Sequence, residues 1–156
     1  MGSGKSSVGR ELSTLLDLPF IDLDEQICRT DGRSIPEIFA EEGEEGFRCI
    51  ESRVLKQVLE DASELVLSLG GGSILSEENS ALVAQKCRCV YLRTPVGTIR
   101  RRLCGEEDSR PLLKASGVDA LFAEREPLYG QTADVIIDTD GLAPGQIARE
   151  IISRLF

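Results

Sequence analysis

The sequence contains no histidine among its 156 residues. This absence excludes any mechanism that depends on a histidine base, including a Ser-His-Asp triad. No apolar run approaches the ~20 residues of a membrane span, and no signal peptide is visible, so we expect a cytoplasmic protein without a membrane partner. The formal net charge is −9. That charge argues against nucleic-acid binding, which begins with neutralisation of phosphates.

The cysteines do not form a recognisable metal-binding pattern. They number five, an odd count, and their spacings match no zinc motif. Two of them, Cys87 and Cys89, precede an apolar run, and a metal site there stays open as an alternative. We interpret all five as small buried thiols in a reducing cytosol. They are Cys28, Cys49, Cys87, Cys89 and Cys104.

The order of apolar segments predicts the fold class. A 41% hydrophobic fraction in 156 residues is enough for one domain with a substantial core. Runs with the character of buried strands lie at 20–21, 65–69, 90–92 and 135–137. Helices are predicted at 5–16, 24–30, 44–61, 118–129 and 144–156, and also after residues 34, 76 and 95. Alternating strands and helices predict a parallel sheet covered on both faces, a three-layer α/β/α fold.

The first residues have the pattern of a phosphate-binding P-loop, which here runs through Gly2, Ser3, Gly4, Lys5, Ser6 and Ser7. Glycines at positions 2 and 4 allow backbone N–H groups to turn toward phosphate oxygens. The positive end of the following helix points at the same anion. Lys5 would reach the β- and γ-phosphates of ATP, and the Ser6 hydroxyl would hold Mg²⁺.

Two features qualify this P-loop. The first glycine of the full motif, and the strand that feeds the loop, would lie before Met1. The alternative interpretation is a flexible glycine-serine segment. It is disfavoured because apolar residues continue at helical spacing after the loop. These are Val8, Leu12, Leu15 and Leu16.

A pair of carboxylates follows the first strand. Asp22 and Asp24 are separated by the period of a strand, so we expect both to face the same way, at the strand end where open α/β sheets bind ligands. Asp22 would lie nearer the phosphates and suit Mg²⁺ through water. Asp24 would suit deprotonation of a substrate hydroxyl. The alternative is a pair of turn carboxylates without a catalytic role.

Gly70, Gly71 and Gly72 directly follow the second strand. One glycine would make the turn, while three add a cost in backbone entropy. We therefore expect a ligand to approach the backbone N–H groups there.

Arg48 and Glu51 lie one helical turn apart. They form either an anion clamp, in which the glutamate orients the guanidinium toward a carboxylate, or an exposed helix pair. The pattern alone does not decide between the two.

Further arginines lie toward the C-terminal half. Arg110 lies in a polar, irregular stretch at 104–116 that we interpret as a lid, and lids over P-loops deliver arginines to phosphates. The run Arg100, Arg101 and Arg102 is interpreted as a solvated helix face, from which one arginine could contact a nucleotide base.

Together these segments resemble the shikimate kinase family, whose fold is that of the nucleoside-monophosphate-kinase-like P-loop proteins. A P-loop alone is common to many families, but the ordered set is highly specific and covers essentially the whole chain. The matching segments are 2–6, 22–24, 32–35, 38–39, 46–48 with Glu51, 69–72, 110–113 and 125–129.

The resemblance implies ATP-dependent phosphorylation of the shikimate 3-hydroxyl, on the route to chorismate and the aromatic amino acids. It implies catalytic roles for Lys5, Asp24 and Arg110, the last on the phosphates. Glu51 would brace Arg48, and the 140–144 loop would flank the adenine with an arginine of the 100–102 run. Shikimate would be held by Asp24, Arg48, Gly70, Gly71, Gly72 and Arg125, with both arginines on its carboxylate.

The resemblance also implies a sheet of strand order 2-3-1-4-5 in which the first, central strand precedes Met1. Without it the flanking strands lose hydrogen-bond partners, and we expect a start codon further upstream rather than a damaged kinase. We expect a monomer with a core at 1–23, 62–103 and 117–156. A substrate-binding insert would cover 24–61, and the lid 104–116.

Two rival functions remain open. A gluconate-type sugar-acid kinase shares the P-loop class, but the elements at 47–48 and 125–129 disfavour it. A non-catalytic module that binds nucleotide or substrate is favoured only if Met1 is the authentic terminus.

Overall fold

The computed structural model describes residues 2–61, 63–104 and 111–156, except for the side chains of residues 113 and 114. The helices are α1 Lys5–Leu16, α2 Leu23–Asp31, α3 Ile35–Asp61, α4 Glu77–Lys86, α5 Val96–Leu103, α6 Pro111–Thr132 and α7 Pro144–Leu155. The strands are β1 Phe20–Asp22, β2 Val66–Ser68, β3 Val90–Arg93 and β4 Val135–Asp138, and a 3₁₀ turn covers Ser73–Leu75. This alternation confirms the predicted α/β class.

The strands form two parallel pairs. β1 pairs with β2 in a register that places Phe20 opposite Val66. β3 pairs with β4 in a register that places Val90 opposite Val135. Parallel pairing requires crossover connections, and helices supply them within both pairs: α2 and α3 between β1 and β2, and α5 and α6 between β3 and β4.

Between the two pairs lies an apolar cavity of about 800 Å³. Its walls come from β2 and β3, but not from β1 or β4, and from α1 and α7. Within the described part of the chain, β2 and β3 each have a single strand partner, so the outer edges of both border this cavity. The two pairs are compatible with the expected order 2-3-1-4-5, whose central strand is not among the described residues.

Separate apolar clusters stabilise the two halves. The larger cluster joins α2 and α3 to the β1–β2 pair, around Leu23, Ile27 and Leu55, which are all fully buried. The second cluster joins α1, α7 and the β3–β4 pair around Val8 and Ile137. Because α1 contacts β1, β2 and α7, it connects the halves, and its N-terminus is fixed beside the ends of β1 and β2.

Local signals in the sequence determine the shape of α3. Ser34 and Glu37 form a reciprocal capping box: the Ser34 N–H donates to Glu37 Oε2 at 2.7 Å, and the Glu37 N–H donates to Ser34 Oγ at 3.4 Å. Gly43 interrupts the helix with φ 70° and ψ −172°, between the helix predicted after residue 34 and the one predicted at 44–61. The second part of α3 therefore begins next to Gly43 and carries Arg48 and Glu51 on its first turns.

The expected irregular stretch at 104–116 is wrong in part. Residues 111–116 are helical, and α6 begins at Pro111, where the fixed φ of proline suits a first helical position. The helix is interrupted at Gly117, with φ 75° and ψ 166°. Residues 105–110, including Arg110, lie outside the described part of the chain.

No helix among the described residues has the length and apolar character needed to cross a membrane.

Candidate active site

A pocket of about 260 Å³ opens at the C-terminal ends of β1 and β2, the edge where α/β sheets bind ligands. α1 contributes Lys5, α2 contributes Asp24, and α6 contributes Arg125. Arg48 and Glu51 come from α3, and the segment after β2 contributes its three glycines. Apolar side chains complete the wall: Ile35, Phe39, Phe47, Pro111, Leu112 and Leu121.

The predicted phosphate loop has left-handed backbone at Gly2, with φ 61°, and at Gly4, with φ 87°. Such angles favour glycine, which explains both positions. α1 begins directly afterwards, and its first turn contains no acidic residue. Its N-terminal end therefore presents backbone donors and positive potential at the pocket edge, with no carboxylate of that turn to compete for them. Ser7 lies exposed in the same turn.

Ser6 and Asp22 form a pair of oxygen ligands beside this loop. Ser6 Oγ donates to Asp22 Oδ2 at 2.6 Å, and the other carboxylate oxygen accepts the Asp24 N–H at 3.1 Å. Asp22 thus caps α2 and orients Ser6 at the same time. A hydroxyl and a carboxylate are ligands that Mg²⁺ prefers, with phosphate oxygens and water completing its shell. The donor set therefore fits Mg²⁺ bound with a nucleotide.

Asp24 reaches the pocket by a different route from the one expected. It lies in the first turn of α2, not on a strand, so the expectation that Asp22 and Asp24 share a strand face is wrong. The strand ends at Asp22 because that residue acts as the helix cap. The carboxylate of Asp24 lies close to the glycine segment, since a Cβ added to Gly70 would be 2.9 Å from Asp24 Oδ1.

Arg48 is held by a buried carboxylate. Its Nη1 donates to Glu51 Oε2 at 2.6 Å, and only 1% of the Glu51 side chain is exposed. A second bond runs from Arg48 Nη2 to Glu44 Oε1 at 3.2 Å, and Glu44 is half exposed. The guanidinium also lies 5.2 Å from the centre of the Phe47 ring. The exposed-pair interpretation is therefore wrong, because a buried glutamate fixes the arginine.

Arg125 brings a second guanidinium to the pocket from α6. The residue is 5% exposed, and its buried Nε has no hydrogen-bond partner among the described residues. Tyr129, one turn later, donates its hydroxyl to the Gly71 carbonyl and so ties α6 to the glycine segment. Burial raises the pKa of Tyr129, with Arg125 acting in the opposite direction, so the hydroxyl stays a donor at neutral pH.

Protein side chains lie close to the backbone at two of the three glycines, while the expected approach of a ligand to the N–H groups of this segment stays a prediction. A Cβ on Gly70 would come within about 3 Å of oxygens of Asp24, Glu51 and Ser73, and a Cβ on Gly72 would overlap the Arg48 guanidinium. Polar and charged side chains therefore pack closely against the backbone at both positions, and an added Cβ would displace them.

The structure therefore brings together most of the predicted site. Lys5, Asp24 and Arg125 line one pocket with Arg48 and the glycine segment. Gly2, Ser3, Gly4, Ser6, Ser7 and Asp22 belong to the adjoining phosphate loop and its partner. The arginines of the 100–102 run are exposed. Arg100 pairs with Asp119 at 2.6 Å and Arg102 Nη1 donates to the Gly2 carbonyl at 3.1 Å. This agrees with a solvated helix face.

Sequence reasoning missed two buried polar residues behind the pocket. Ser73 Oγ donates to Glu51 Oε1 at 2.6 Å, and Asn79 Nδ2 donates to the Ser73 carbonyl at 2.9 Å. Ser73 is 0% exposed and Asn79 3%. The only signal available was a serine directly after a glycine run, which resembles an ordinary turn residue.

The chain is similar to known proteins over nearly its whole length. The family model described as shikimate kinase matches residues 1–156. The shikimate kinase of Dictyoglomus turgidum is 40% identical over 99% of this chain and 92% of its own length. That of Nitrosomonas europaea is 42% identical over 99% of this chain and 74% of its own.

Solved structures agree as well. A shikimate kinase from Acinetobacter baumannii, in complex with shikimate, superposes with a TM-score of 0.93 at 38% identity, covering 99% of this chain and 88% of that one. The shikimate kinase from Aquifex aeolicus gives 0.86 at 36% identity, covering 99% and 91%. With the family model, near-full-length relatives and the fold in agreement, the chain belongs to the shikimate kinase family.

Proposed function

We propose that this protein is a kinase that transfers the γ-phosphoryl group of ATP to the 3-hydroxyl of shikimate. The products are shikimate 3-phosphate and ADP, on the route to chorismate and the aromatic amino acids. One observation carries the proposal: two guanidinium groups and one carboxylate converge on a small pocket whose wall includes the P-loop lysine. The Acinetobacter baumannii relative that binds shikimate has the same fold.

The pocket has the size and charge for a small hydroxylated acid. Its volume of about 260 Å³ lies below the range of about 300–1,000 Å³ typical of drug-sized ligands. Arg48 and Arg125 would hold the substrate carboxylate, because guanidinium groups bind carboxylates with paired, charge-assisted hydrogen bonds. Asp24 would accept hydrogen bonds from hydroxyl groups, and the apolar wall would cover the ring faces.

Asp24 is the carboxylate best placed to act as the base. It lines the same pocket as Lys5, so both side chains would face a substrate bound there. It would accept the proton of the attacking hydroxyl as the new P–O bond forms. Lys5 and the backbone donors of the loop would stabilise the negative charge on the transferred group. Arg110, assigned to the phosphates by the family resemblance, stays a prediction.

We propose Mg²⁺ as the companion ion of ATP, held by Ser6 and Asp22. When bound, it would neutralise charge on the β- and γ-phosphates. A monomer in the cytoplasm, without nucleic-acid or membrane partners, completes the proposal. The net charge of −9 supports the absence of nucleic-acid binding.

A coupled ADP-release assay with ATP and Mg²⁺ tests the function. We expect ADP release that depends on shikimate, and none with gluconate, a sugar acid of similar charge. Turnover with gluconate alone would support the rival sugar-acid kinase. Binding of both ligands by calorimetry without turnover would support the non-catalytic module.

A further inference from the structure

A chain of buried hydrogen bonds extends from Arg48 away from the pocket. Glu51 accepts from Arg48 on Oε2 and from the Ser73 hydroxyl on Oε1, both at 2.6 Å. The Ser73 carbonyl then accepts from Asn79 Nδ2 at 2.9 Å. The three residues behind Arg48 are at most 3% exposed, so water does not reach this network freely.

The Ser73 hydroxyl determines how the Glu51 carboxylate is oriented. The last torsion of a glutamate side chain is broad, so one bond to Arg48 leaves the carboxylate free to rotate. The second bond, on the opposite oxygen, removes that freedom. Without it, Glu51 Oε1 would be a buried acceptor with no partner from Ser73, which is a costly arrangement.

Asn79 in turn fixes Ser73. Its amide holds the Ser73 carbonyl from α4, while two backbone bonds, Ser73 N–H to Gly70 O and Leu75 N–H to Gly72 O, connect the same turn to the glycine segment. The turn that presents the Ser73 hydroxyl is therefore anchored on both sides.

Arg48 has a second carboxylate partner, and this makes the orientation of Glu51 important. Glu44 lies on the solvent side of the same helix at 3.2 Å from Nη2, with a half-exposed side chain. A guanidinium that is less firmly held by Glu51 would shift toward Glu44 and away from the pocket. The Arg48 guanidinium thus lies between two carboxylates and bonds both, and the bonds behind Glu51 keep it close to the buried one.

We infer that Ser73 and Asn79 are positioning residues, which hold Arg48 in the orientation that binds the substrate carboxylate. They act through Glu51 and do not touch the substrate themselves. The kinetic test of this inference rests on the proposed function, whereas its structural test depends only on the contacts among Arg48, Glu51, Ser73 and Asn79.

The first test compares Ser73→Ala with Ser80→Ala, a matched loss of a hydroxyl outside this network, where Ser80 pairs with Thr132. Loss of a hydrogen bond to a charged group predicts a KM for shikimate that rises about 10- to 100-fold. The KM for ATP should be unchanged, and kcat should change much less. Asn79→Ala should shift the same constant in the same direction. An unchanged KM for shikimate in Ser73→Ala would overturn the inference.

Two measurements separate positioning from general damage to the fold. With an uncharged carboxamide analogue of shikimate, Ser73→Ala and the parent should perform alike, because no carboxylate needs Arg48. Adding Glu44→Gln to Ser73→Ala should recover much of the lost affinity for shikimate, since it removes the competing partner. An equal penalty with both substrates, or no recovery, would indicate a merely structural role.

A crystal structure of Ser73→Ala gives a result that does not depend on the substrate. We expect the Arg48 guanidinium to move toward Glu44. An Arg48 that keeps its bond to Glu51 would overturn the inference even if the parent protein phosphorylates shikimate. A parent that fails to use shikimate would count against the proposed function alone, while the same structure would still decide the role of Ser73.

Discussion

At the scale of single residues, the site depends on how charge is distributed in a protein that carries a net charge of −9. Burying Glu51 to 1% exposure would be costly for an unpaired carboxylate. The Arg48 guanidinium compensates it and still lines the pocket. Arg125 adds a second positive charge, so the pocket attracts anions although the molecule as a whole repels them.

Replacement of either arginine should weaken shikimate binding. Arg48→Ala and Arg125→Ala each remove one charged partner of the substrate carboxylate, a loss of about 2–5 kcal/mol. Arg48→Lys should also bind poorly, because lysine lacks the planar fork. Calorimetry with shikimate measures the effect, and Arg154→Ala, at an exposed pair on α7, is the matched control. Normal affinity in both alanine variants would contradict the anion clamp.

Replacement of the proposed base should affect turnover more than binding. Asp24→Asn keeps the shape of the side chain but cannot accept a proton, so kcat should fall about 10²- to 10⁴-fold. ATP affinity should be retained. Asp119→Asn, an exposed aspartate paired with Arg100, provides the control for a lost carboxylate. A kcat of Asp24→Asn within about twofold of the parent would rule out the base role.

At the scale of elements, local chemistry predicted the helices well. The capping box at Ser34 and the break at Gly43 follow from hydrogen-bond capacity and backbone freedom that each residue carries alone. The first helix, Lys5–Leu16, has the predicted bounds. Apolar residues recur at helical spacing up to Leu16, and the nearby Pro19 disfavours a longer helix. Such signals act within a few residues, so a single sequence shows them.

The parts of the site that escaped prediction depend on distant residues. The prediction of a strand face for Asp24 fails because Asp22 caps a helix, which the sequence alone does not show. The close packing at Gly72 comes from an arginine 24 positions earlier in the chain, whose guanidinium fills the space of a Cβ. The Glu51–Ser73 bond likewise joins residues 22 positions apart. Contacts of this kind appear only when the chain is folded.

The glycine segment therefore offers a test at this scale. Gly72 has φ −113° and ψ 1°, which an L-residue can adopt, so Gly72→Ala adds a methyl group without requiring a left-handed backbone. That methyl would overlap the Arg48 guanidinium, and the arginine must move. We expect a large rise in the KM for shikimate with little change in the KM for ATP.

Gly97→Ala is the matched control for this substitution. Gly97 lies in α5, and a Cβ there meets no atom of the described residues within 4 Å. Alanine should be neutral or should stabilise the helix by up to about 1 kcal/mol. If Gly72→Ala retained the parent KM for shikimate, the tight packing between the glycine segment and Arg48 would be without functional consequence.

At the scale of the whole molecule, the phosphate loop and the substrate pocket depend on contributions from both halves of the structure. The pocket draws on α2, α3 and the segment after β2 from the β1–β2 half. It also draws on α1, which contributes Lys5, and on α6, which contributes Arg125. Gly2 of the phosphate loop packs on Ile99 and Leu103 of α5, next to the β3–β4 half. The cavity of about 800 Å³ lies between these halves. Contacts that join the two halves across this cavity should therefore keep bound ATP and bound shikimate aligned.

The cavity has the properties of a strand site. It borders one edge each of β2 and β3, edges that have no strand partner among the described residues, and its walls are mainly apolar. Ser3 lies on its wall, so a segment joined ahead of Gly2 would begin at its rim. The buried hydroxyl of Tyr91, which also lines the cavity, has no hydrogen-bond partner among the described residues.

We therefore predict that a short, valine- and isoleucine-rich extension fused ahead of Gly2 stabilises the protein by pairing with both edges. Each backbone hydrogen bond contributes about 1 kcal/mol, and each kcal/mol raises the Tm of a domain of this size by about 2–4 °C. Scanning calorimetry measures the shift, with a glycine-serine extension of equal length as the control. The apolar extension should also protect the amides of β2 and β3 from hydrogen exchange, because those groups gain partners. An equal Tm for both extensions would show that the cavity does not accept a strand.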